Sequence, residues 1–216
     1  MKVLFLNLSD RPDFSEISRY FLTKYCEKYN FSYIFENLIL DNTRHISWSK
    51  LLLIKNYINE KNVDYIVWID DDIIITNPKI DIRNIIEKNM KDNIIMMQKD
   101  CDENTLINAG IIIVKNCKMT ISWIDKIWDI GKVLQKEFDS NWEQDAIIYD
   151  IVSTKNKYYK ILDYGILQNF VRDYNIPKNN PWTTESFSAH ITGMPQIKRY
   201  HYINIVISEI SKYQSI

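Results

Sequence analysis

Residues 65–75 read YIVWIDDDIII, in which three consecutive aspartates separate two apolar segments. Short, continuous apolar runs are typical of strands that are buried on both faces of a mostly parallel sheet. Unpaired carboxylates are very costly in an apolar interior, so the aspartates should lie at the end of a strand and need a counter-charge. Ligands of open α/β sheets bind at such strand ends. The segment therefore predicts an α/β fold with an acidic site at the edge of its sheet.

Apolar runs and amphipathic segments alternate along the rest of the chain. This alternation predicts a single α/β domain over residues 1–216, with a mixed, mostly parallel sheet flanked by helices. The predicted strands cover residues 3–8, 31–35, 65–69, 73–75, 94–97, 107–114 and 158–162. One predicted helix starts at Pro12, and others cover 48–58, 82–88, 121–138 and 143–152. A mixed segment is predicted at 197–211 and a long loop at 175–184.

Composition excludes several classes of function. The net charge of −1 argues against a nucleic-acid partner. The three cysteines have no CxxC spacing, and their odd number favours a reducing compartment over a disulfide framework. No apolar run approaches the length of a membrane helix, and the polar Ser9 directly follows the first predicted strand. We therefore predict a soluble protein, cytoplasmic or otherwise, without a signal peptide, transmembrane segment or membrane anchor.

The three aspartates allow two interpretations. A divalent cation could supply their counter-charge, and oxygen ligands suit Mg²⁺ or Mn²⁺. Alternatively, they form a solvated acidic turn, although the apolar segments on both sides favour a position close to the core. An EF-hand loop is excluded because its sixth position requires glycine, and that position is Ile75 here.

The aspartates also resemble the DxD motif of glycosyltransferases with the GT-A fold. The surrounding sequence resembles one group of retaining enzymes, the galactosyl/mannosyl/xylosyltransferase family 34. Five ordered segments carry this resemblance: WSKL at 48–51, VWIDDDI at 67–73 followed by Asn77-Pro78, LINAG at 106–110 followed by VKN at 114–116, EQDA at 143–146 and HITG at 190–193. Lys115 stands where arginine is usual, and Lys198 is the first lysine after HITG. The related glycogenin-like family 8 usually ends in K-P-W, which is absent.

The resemblance implies a metal-dependent enzyme that moves a sugar from a UDP- or GDP-sugar to a glycan or to a protein- or lipid-linked acceptor. Asp70, Asp72 and His190 would bind Mn²⁺ or Mg²⁺, which would offset the charge of the departing nucleoside diphosphate. The remaining donor contacts would come from Ser9, Asp10 and Arg11 for base and ribose, Lys50 and Gly193 for the phosphates, and Asp71, Asn108, Ala109 and Gly110 for the sugar.

Catalytic roles also follow from the resemblance. Gln144 or Asp145 would face the reacting carbon, with Asp71 nearby, and the anomeric configuration would be retained. Among the aromatic residues, Trp182 in the predicted loop is the candidate for a platform under the acceptor.

Simpler structural roles exist for several of these residues. Lys50 could be a solvated helix lysine, Asn108 could form a turn before a strand, and acids at 143–145 could interact with a helix dipole. His45 and His201 have no motif around them, so we assign them structural roles.

Three alternative functions remain open at this stage. A glycogenin-like family 8 transferase would share most of the motifs. A catalytically inactive module that binds sugar nucleotides would be expected to lack the DxD or HxxG motif, and both are present. A haloacid-dehalogenase-like phosphatase also carries strand-DxD, but it requires a later GDxxxD, which this sequence lacks.

Overall fold

The structure is a computed structural model that describes residues 1–138, 142–155, 158–171 and 181–213. The strands are β1 (Val3–Leu8), β2 (Ser32–Glu36), β3 (Tyr65–Ile69), β4 (Ile73–Ile75), β5 (Ile95–Gln98), β6 (Asn108–Lys115), β7 (Tyr159–Leu162), β8 (Asn169–Phe170) and β9 (Ser188–His190). The helices are α1 (Pro12–Tyr29), α2 (Ser49–Tyr57), α3 (Ile82–Asn89), α4 (Lys118–Phe138), α5 (Glu143–Thr154) and α6 (Gln196–Tyr213), and a 3-10 turn (Ile46–Trp48) precedes α2.

The larger sheet has six strands in the order β2-β1-β3-β6-β5-β7. The pairs β1–β2, β1–β3 and β5–β7 are parallel, whereas β6 runs antiparallel to both of its neighbours, β3 and β5. A smaller sheet has the order β4-β9-β8. The prediction of a mixed, mostly parallel sheet flanked by helices is therefore confirmed.

Both faces of the larger sheet are buried, as the continuous apolar runs predict. Alternate residues of β1, β3 and β6 point to opposite faces, as the pleat of a strand requires. One face packs against α2, α4 and α5, and the other packs against α1 and α3. The central strands are therefore covered by helices on both sides, and their ends are where polar residues can reach solvent.

The aspartate segment joins the two sheets. The Asp70 backbone N–H donates to the Gly110 carbonyl at 2.9 Å, which continues the β3–β6 ladder by one residue. The chain then enters β4, which pairs antiparallel with β9 so that Ile73 lies opposite His190. Ile191 N donates to the Asp72 carbonyl at 2.9 Å. Pairing between β4 and β9 thus brings the aspartates next to a strand that lies more than a hundred residues later.

The structure corrects the sequence predictions at two places. Residues 197–211 belong to one helix, α6, rather than to a mixed segment. The short strands β8 and β9 were not predicted, because two or three residues carry too little periodicity to indicate a strand. The predicted loop at 175–184 lies outside the described residues except for 181–184.

In the part of the chain that the structure describes, there is no helix with the length and apolarity needed to cross a membrane.

A glycine in the middle of α4 allows close packing against the 3-10 turn. A Cβ atom at Gly131 would lie 2.0 Å from Cη2 of Trp48, a buried ring that also makes an edge contact with Trp128. In open space, alanine would stabilise a helix by about 1 kcal/mol relative to glycine. Here the overlap outweighs that gain, because over-packing a core costs about 1–3 kcal/mol or more.

We therefore expect Gly131→Ala to lower the free energy of unfolding by about 2 kcal/mol and Tm by roughly 4–8 °C. Thermal and urea unfolding measure this change. Gln135→Ala, at an exposed position of the same helix, is the matched control and should leave stability nearly unchanged. A Gly131→Ala protein that is more stable than the wild type would contradict the packing described here.

Candidate active site

The three aspartates each contact a different basic side chain. Asp72 is the most buried of the three and lies between His190 and Arg199. Its Oδ1 is 3.1 Å from His190 Nε2, and its Oδ2 accepts from Arg199 Nη1 at 2.6 Å. Burial alone would raise the pKa of Asp72, but His190 and Arg199 lower it to about 2. The side chain is therefore ionised at neutral pH.

Asp70 shares a cation with a second carboxylate. The Lys50 ammonium group lies 3.0 Å from Asp70 Oδ1 and 2.6 Å from Glu143 Oε1, and it donates to the Ala109 carbonyl at 3.1 Å. Trp68 Nε1 also donates to Asp70 Oδ1 at 2.6 Å. Burial raises the pKa of Asp70 to about 6, and Lys50 opposes that increase. Lys50 is thus a buried counter-ion rather than a solvated helix lysine.

Asp71 points toward the end of β1. It accepts from Ser9 Oγ at 2.6 Å and from Arg11 Nε at 3.1 Å, and the other oxygen also contacts the Arg11 guanidinium. The Asp71 carbonyl accepts from Ser18 Oγ in α1 at 2.7 Å. Asp71, predicted to contact the sugar, therefore contacts two of the residues predicted to bind the base and ribose.

Asp70, Asp72 and His190 form the one group in the described ranges with the composition and spacing of a metal site. One ligand atom from each lies within 4.8 Å of the others. Two carboxylates and an imidazole, without a thiolate, fit a cation that prefers oxygen and nitrogen donors, such as Mn²⁺. The chemistry of the donor set is therefore compatible with the predicted metal.

The charges around the aspartates nearly balance. Asp70, Asp71, Asp72 and Glu143 supply four negative charges, and the ion pairs above supply three positive ones from Lys50, Arg11 and Arg199. Counted without His190, these groups carry one excess formal negative charge. Basic side chains thus supply most of the counter-charge that the sequence argument calls for. Binding a divalent cation would turn the excess positive, which suits a diphosphate.

The NAG segment at the start of β6 lies beside the histidine. The Asn108 carboxamide oxygen accepts from Gly110 N at 2.9 Å and from Gln168 Nε2 at 2.5 Å, and its nitrogen donates to Asp100 at 2.9 Å. Both lone pairs of that oxygen are therefore used, which leaves one N–H for a ligand. Asn108 can therefore offer a sugar hydroxyl a donor but no further acceptor.

Two glycines differ in how much space surrounds them. A Cβ atom at Gly110 would lie 2.7 Å from His190 Cε1, so only glycine permits this close approach of the histidine. Gly193 has φ +72°, in the left-handed region that favours glycine, and no atom lies within 4 Å of the position that a Cβ would take there. Open space at Gly193 is compatible with the predicted approach of a phosphate.

Helix α5 begins at the same cleft. Gln144 Oε1 accepts from Ala109 N at 2.9 Å, so this side chain ties the helix to β6. Asp145 is exposed. Glu143 is buried and paired with Lys50, so its role extends beyond a favourable charge at a helix N-terminus.

These residues line one cleft with two halves. The first, which we call the aspartate half, has a volume of about 380 Å³, and the second, the amide half, about 310 Å³. The aspartate half is lined by the three aspartates, Ser9, Asp10, Arg11, His45 and Arg199. The amide half is lined by Asn108, Ala109, Gly110, Gln144, Asp145 and His190. The two halves share Ser47, Lys50, Asp70, Trp142 and Thr192.

Several residues of this cleft were not predicted from sequence, among them His45, Trp142 and Arg199. Arg199 contacts Asp72, whereas its neighbour Lys198, the first lysine after HITG, is exposed. The sequence did indicate a basic residue shortly after Gly193, but the residue expected was a lysine and the one that contacts Asp72 is Arg199. His45 and Trp142 had no sequence signal.

Trp182, the predicted acceptor platform, has a packing role instead. Its ring packs against an apolar cluster that α6 covers, and its Nε1 donates to Thr76 Oγ1 at 3.0 Å. Neither half of the cleft includes it. The position of Trp182 therefore does not support the predicted contact with an acceptor.

The fold is shared with solved glycosyltransferase structures of low sequence identity. A glycosyltransferase involved in glycosylation of the major capsid of PBCV-1 is 15% identical with a TM-score of 0.76, covering 95% of this chain and 100% of that one. GlyE of Streptococcus pneumoniae TIGR4 is 15% identical with a TM-score of 0.61, and the match covers 96% of this chain and 63% of GlyE. The galactosyltransferase LgtC, solved with donor and acceptor sugar analogs, is 10% identical with a TM-score of 0.56. The match covers 98% of this chain and 96% of LgtC.

A family model also matches the sequence directly. The model of the galactosyl transferase GMA12/MNN10 family matches residues 22–104, which include the aspartates and Lys50. No curated protein matches the chain. The family match and the shared fold together identify this protein as a glycosyltransferase with the GT-A fold. It resembles the GMA12/MNN10 family, in agreement with the resemblance seen in the motifs.

Proposed function

We propose that this protein transfers a sugar from a UDP- or GDP-sugar to a hydroxyl group of a glycan or of a protein- or lipid-linked acceptor, and that the reaction requires Mn²⁺ or Mg²⁺. One observation carries the proposal: two carboxylates and an imidazole converge within 4.8 Å at a cleft of a GT-A-fold glycosyltransferase. When bound there, the cation would stabilise negative charge on the leaving nucleoside diphosphate.

The aspartate half suits the nucleoside diphosphate. Ser9, Asp10 and Arg11 follow β1 and can contact the base and ribose, because they line the end of the cleft farthest along the sheet from β6. Arg199 lies 2.6 Å from Asp72 and is well placed to contact a phosphate oxygen next to the metal ligands. Open space around Gly193 would admit the diphosphate.

The amide half suits the sugar. Ala109 and Gly110 expose backbone there, and Asn108 has one N–H left for a hydroxyl. Gln144 lies in the same half, fixed through its oxygen to Ala109 N, so its amide group can face the reacting carbon. Asp145 is exposed beside it and could orient the acceptor.

We further propose retention of the anomeric configuration, which follows from the resemblance to retaining families. NMR of the product from a donor of known anomeric configuration tests this directly.

Two alternatives predict different results. A glycogenin-like family 8 enzyme would behave similarly in these assays and would be distinguished by its acceptor. A catalytically inactive module would bind the nucleotide with metal and release no product.

We expect UDP or GDP with Mn²⁺ to raise the Tm by roughly 5–10 °C at a hundredfold excess over Kd. Incubation with the matching nucleotide sugar should release nucleoside diphosphate. EDTA should stop this release because it removes the cation, and added Mn²⁺ should restore it. A coupled assay for nucleoside diphosphate and thermal unfolding measure the two effects. Release that continues in EDTA would refute metal dependence, and the absence of release from every common UDP- and GDP-sugar, with and without acceptors, would refute the transferase.

A further inference from the structure

One aromatic side chain in the cleft differs from the other tryptophans. All six tryptophans lie within the described residues, and five are buried or partly buried. Trp142 is 53% exposed, directly before the first residue of α5. A large aromatic ring that could contribute burial energy elsewhere instead faces solvent inside a polar cleft. Such an exposed ring in a concave site indicates ligand contact.

A second ring holds Trp142 in place. The imidazole of His45 lies 4.2 Å from the indole, centroid to centroid, at an interplanar angle of 57°. His45 is itself fixed, because its Nδ1 accepts from Ser47 N at 3.2 Å within the 3-10 turn. The indole therefore packs at the cleft wall against a ring that is hydrogen-bonded to the 3-10 turn.

Trp142 belongs to the wall that both halves of the cleft share. If the diphosphate occupies the aspartate half and the sugar occupies the amide half, the bond that breaks must lie where the halves meet. The acceptor hydroxyl has to approach the anomeric carbon at that same place. The neighbouring Gln144 and Asp145 line the amide half and can hydrogen-bond to hydroxyl groups.

We propose that Trp142, supported by His45, forms the acceptor subsite and that the acceptor group it contacts is a pyranose sugar. The C–H face of a pyranose is apolar and flat enough to stack on an indole, whereas its hydroxyl edge can reach Asp145 and Gln144. This proposal rests on the proposed transferase function, because it takes the positions of donor and sugar from it.

The nucleobase of the donor is the competing partner for the ring. The base is expected at the end of β1, where Ser9 and Arg11 contact Asp71. Trp142, by contrast, adjoins Glu143 and Gln144, which contact Lys50 and Ala109 beside β6. This position favours the acceptor over the base, and separate measurements of nucleotide and acceptor binding distinguish the two.

The test compares Trp142→Ala and Trp142→Phe with Tyr149→Ala. Tyr149 lies on the same helix and is also 53% exposed, but it lies outside both halves of the cleft. Calorimetry with UDP or GDP plus Mn²⁺ gives the nucleotide Kd. Transfer to a panel of methyl pyranosides gives the acceptor KM, and saturation-transfer NMR with the same pyranosides measures binding without turnover.

We expect Trp142→Ala to raise the acceptor KM about tenfold and to weaken the NMR signal of the pyranosides, as loss of a stacked ring predicts. Trp142→Phe should stay within about threefold of the wild type, and Tyr149→Ala should not differ from it. Nucleotide Kd should change less than twofold in all three variants.

Two results would overturn the inference. In the first, Trp142→Ala leaves both the acceptor KM and pyranoside binding unchanged. In the second, the nucleotide Kd of this variant rises as much as its acceptor KM, which would assign the ring to the base. A wild-type protein that binds no nucleotide would instead refute the proposed function. In that case pyranoside binding by NMR still decides the inference, because absence of binding to the wild type would exclude the subsite.

Discussion

Asp72→Asn is expected to abolish nucleoside diphosphate release, with a loss of about a thousandfold or more. The substitution keeps the volume of the side chain but removes a charged ligand from the Asp70–Asp72–His190 group. Stabilisation of leaving-group charge by a cation contributes several kcal/mol, and each 1.4 kcal/mol corresponds to a factor of ten in rate. Mn²⁺ affinity, measured by calorimetry in the presence of nucleoside diphosphate, should fall together with the rate.

Asp71→Asn provides the matched control. Asp71 is adjacent in sequence and similarly buried, at 8% exposed against 7% for Asp72. It contacts Ser9 and Arg11 and does not belong to the proposed metal-ligand group. We expect this variant to bind nucleotide more weakly while losing much less Mn²⁺ affinity than Asp72→Asn. Equal losses of Mn²⁺ affinity in both variants would mean that the aspartates act only through their total charge, and not through ligand geometry.

Lys50→Met is expected to have the largest effect on stability. The Lys50 side chain is 4% exposed, and its removal leaves Asp70 and Glu143 without their shared cation. Breaking a buried ion pair by removing one partner costs about 3–5 kcal/mol. Because 28% of the Asp70 side chain remains exposed to solvent, we expect the lower part of this range, with a Tm decrease of roughly 6–12 °C. Thermal and urea unfolding measure the change.

The double variant Lys50→Met/Glu143→Gln separates the charge effect from the loss of packing. Neutralising Glu143 should recover part of the stability, because the remaining carboxylate of Asp70 has solvent and Trp68 Nε1 as partners. A double-mutant cycle then gives the coupling between Lys50 and Glu143. If the changes in unfolding free energy of the two single variants add up to that of the double variant, the contact between Lys50 and Glu143 contributes no coupling. A Lys50→Met protein within about 1 kcal/mol of the wild type would contradict its role as a buried counter-ion.

The central strands could be predicted from sequence because their apolar runs are continuous. Strand β3 (Tyr65–Ile69) and strand β4 (Ile73–Ile75) have the predicted boundaries, since the aspartates between them cannot lie in the apolar interior. Strands β8 and β9 were missed because they are short and gain stability from pairing with distant segments. The periodicity of α6 is hard to recognise because its apolar residues face a small third cluster rather than the main core.

The metal-ligand group was predicted in two parts. Asp70 and Asp72 follow from the position of three acids at the end of a strand, whereas His190 was added only by resemblance to a known motif. Nothing in local sequence could pair residues 118 positions apart, and the β4–β9 ladder is what brings Asp72 and His190 to 3.1 Å. Their binding of a metal stays a prediction.

The sequence by itself determined the fold class, the strand that carries the aspartates and the type of chemistry that such acids permit. These properties depend on hydrophobic periodicity and on the cost of burying charge, which are local and act at every position. The tertiary structure alone decided which cation each aspartate contacts, the use of the Asn108 oxygen by Gly110 and Gln168, and the exposure of Trp142. Those depend on long-range pairing of side chains, for which the sequence has no local signal.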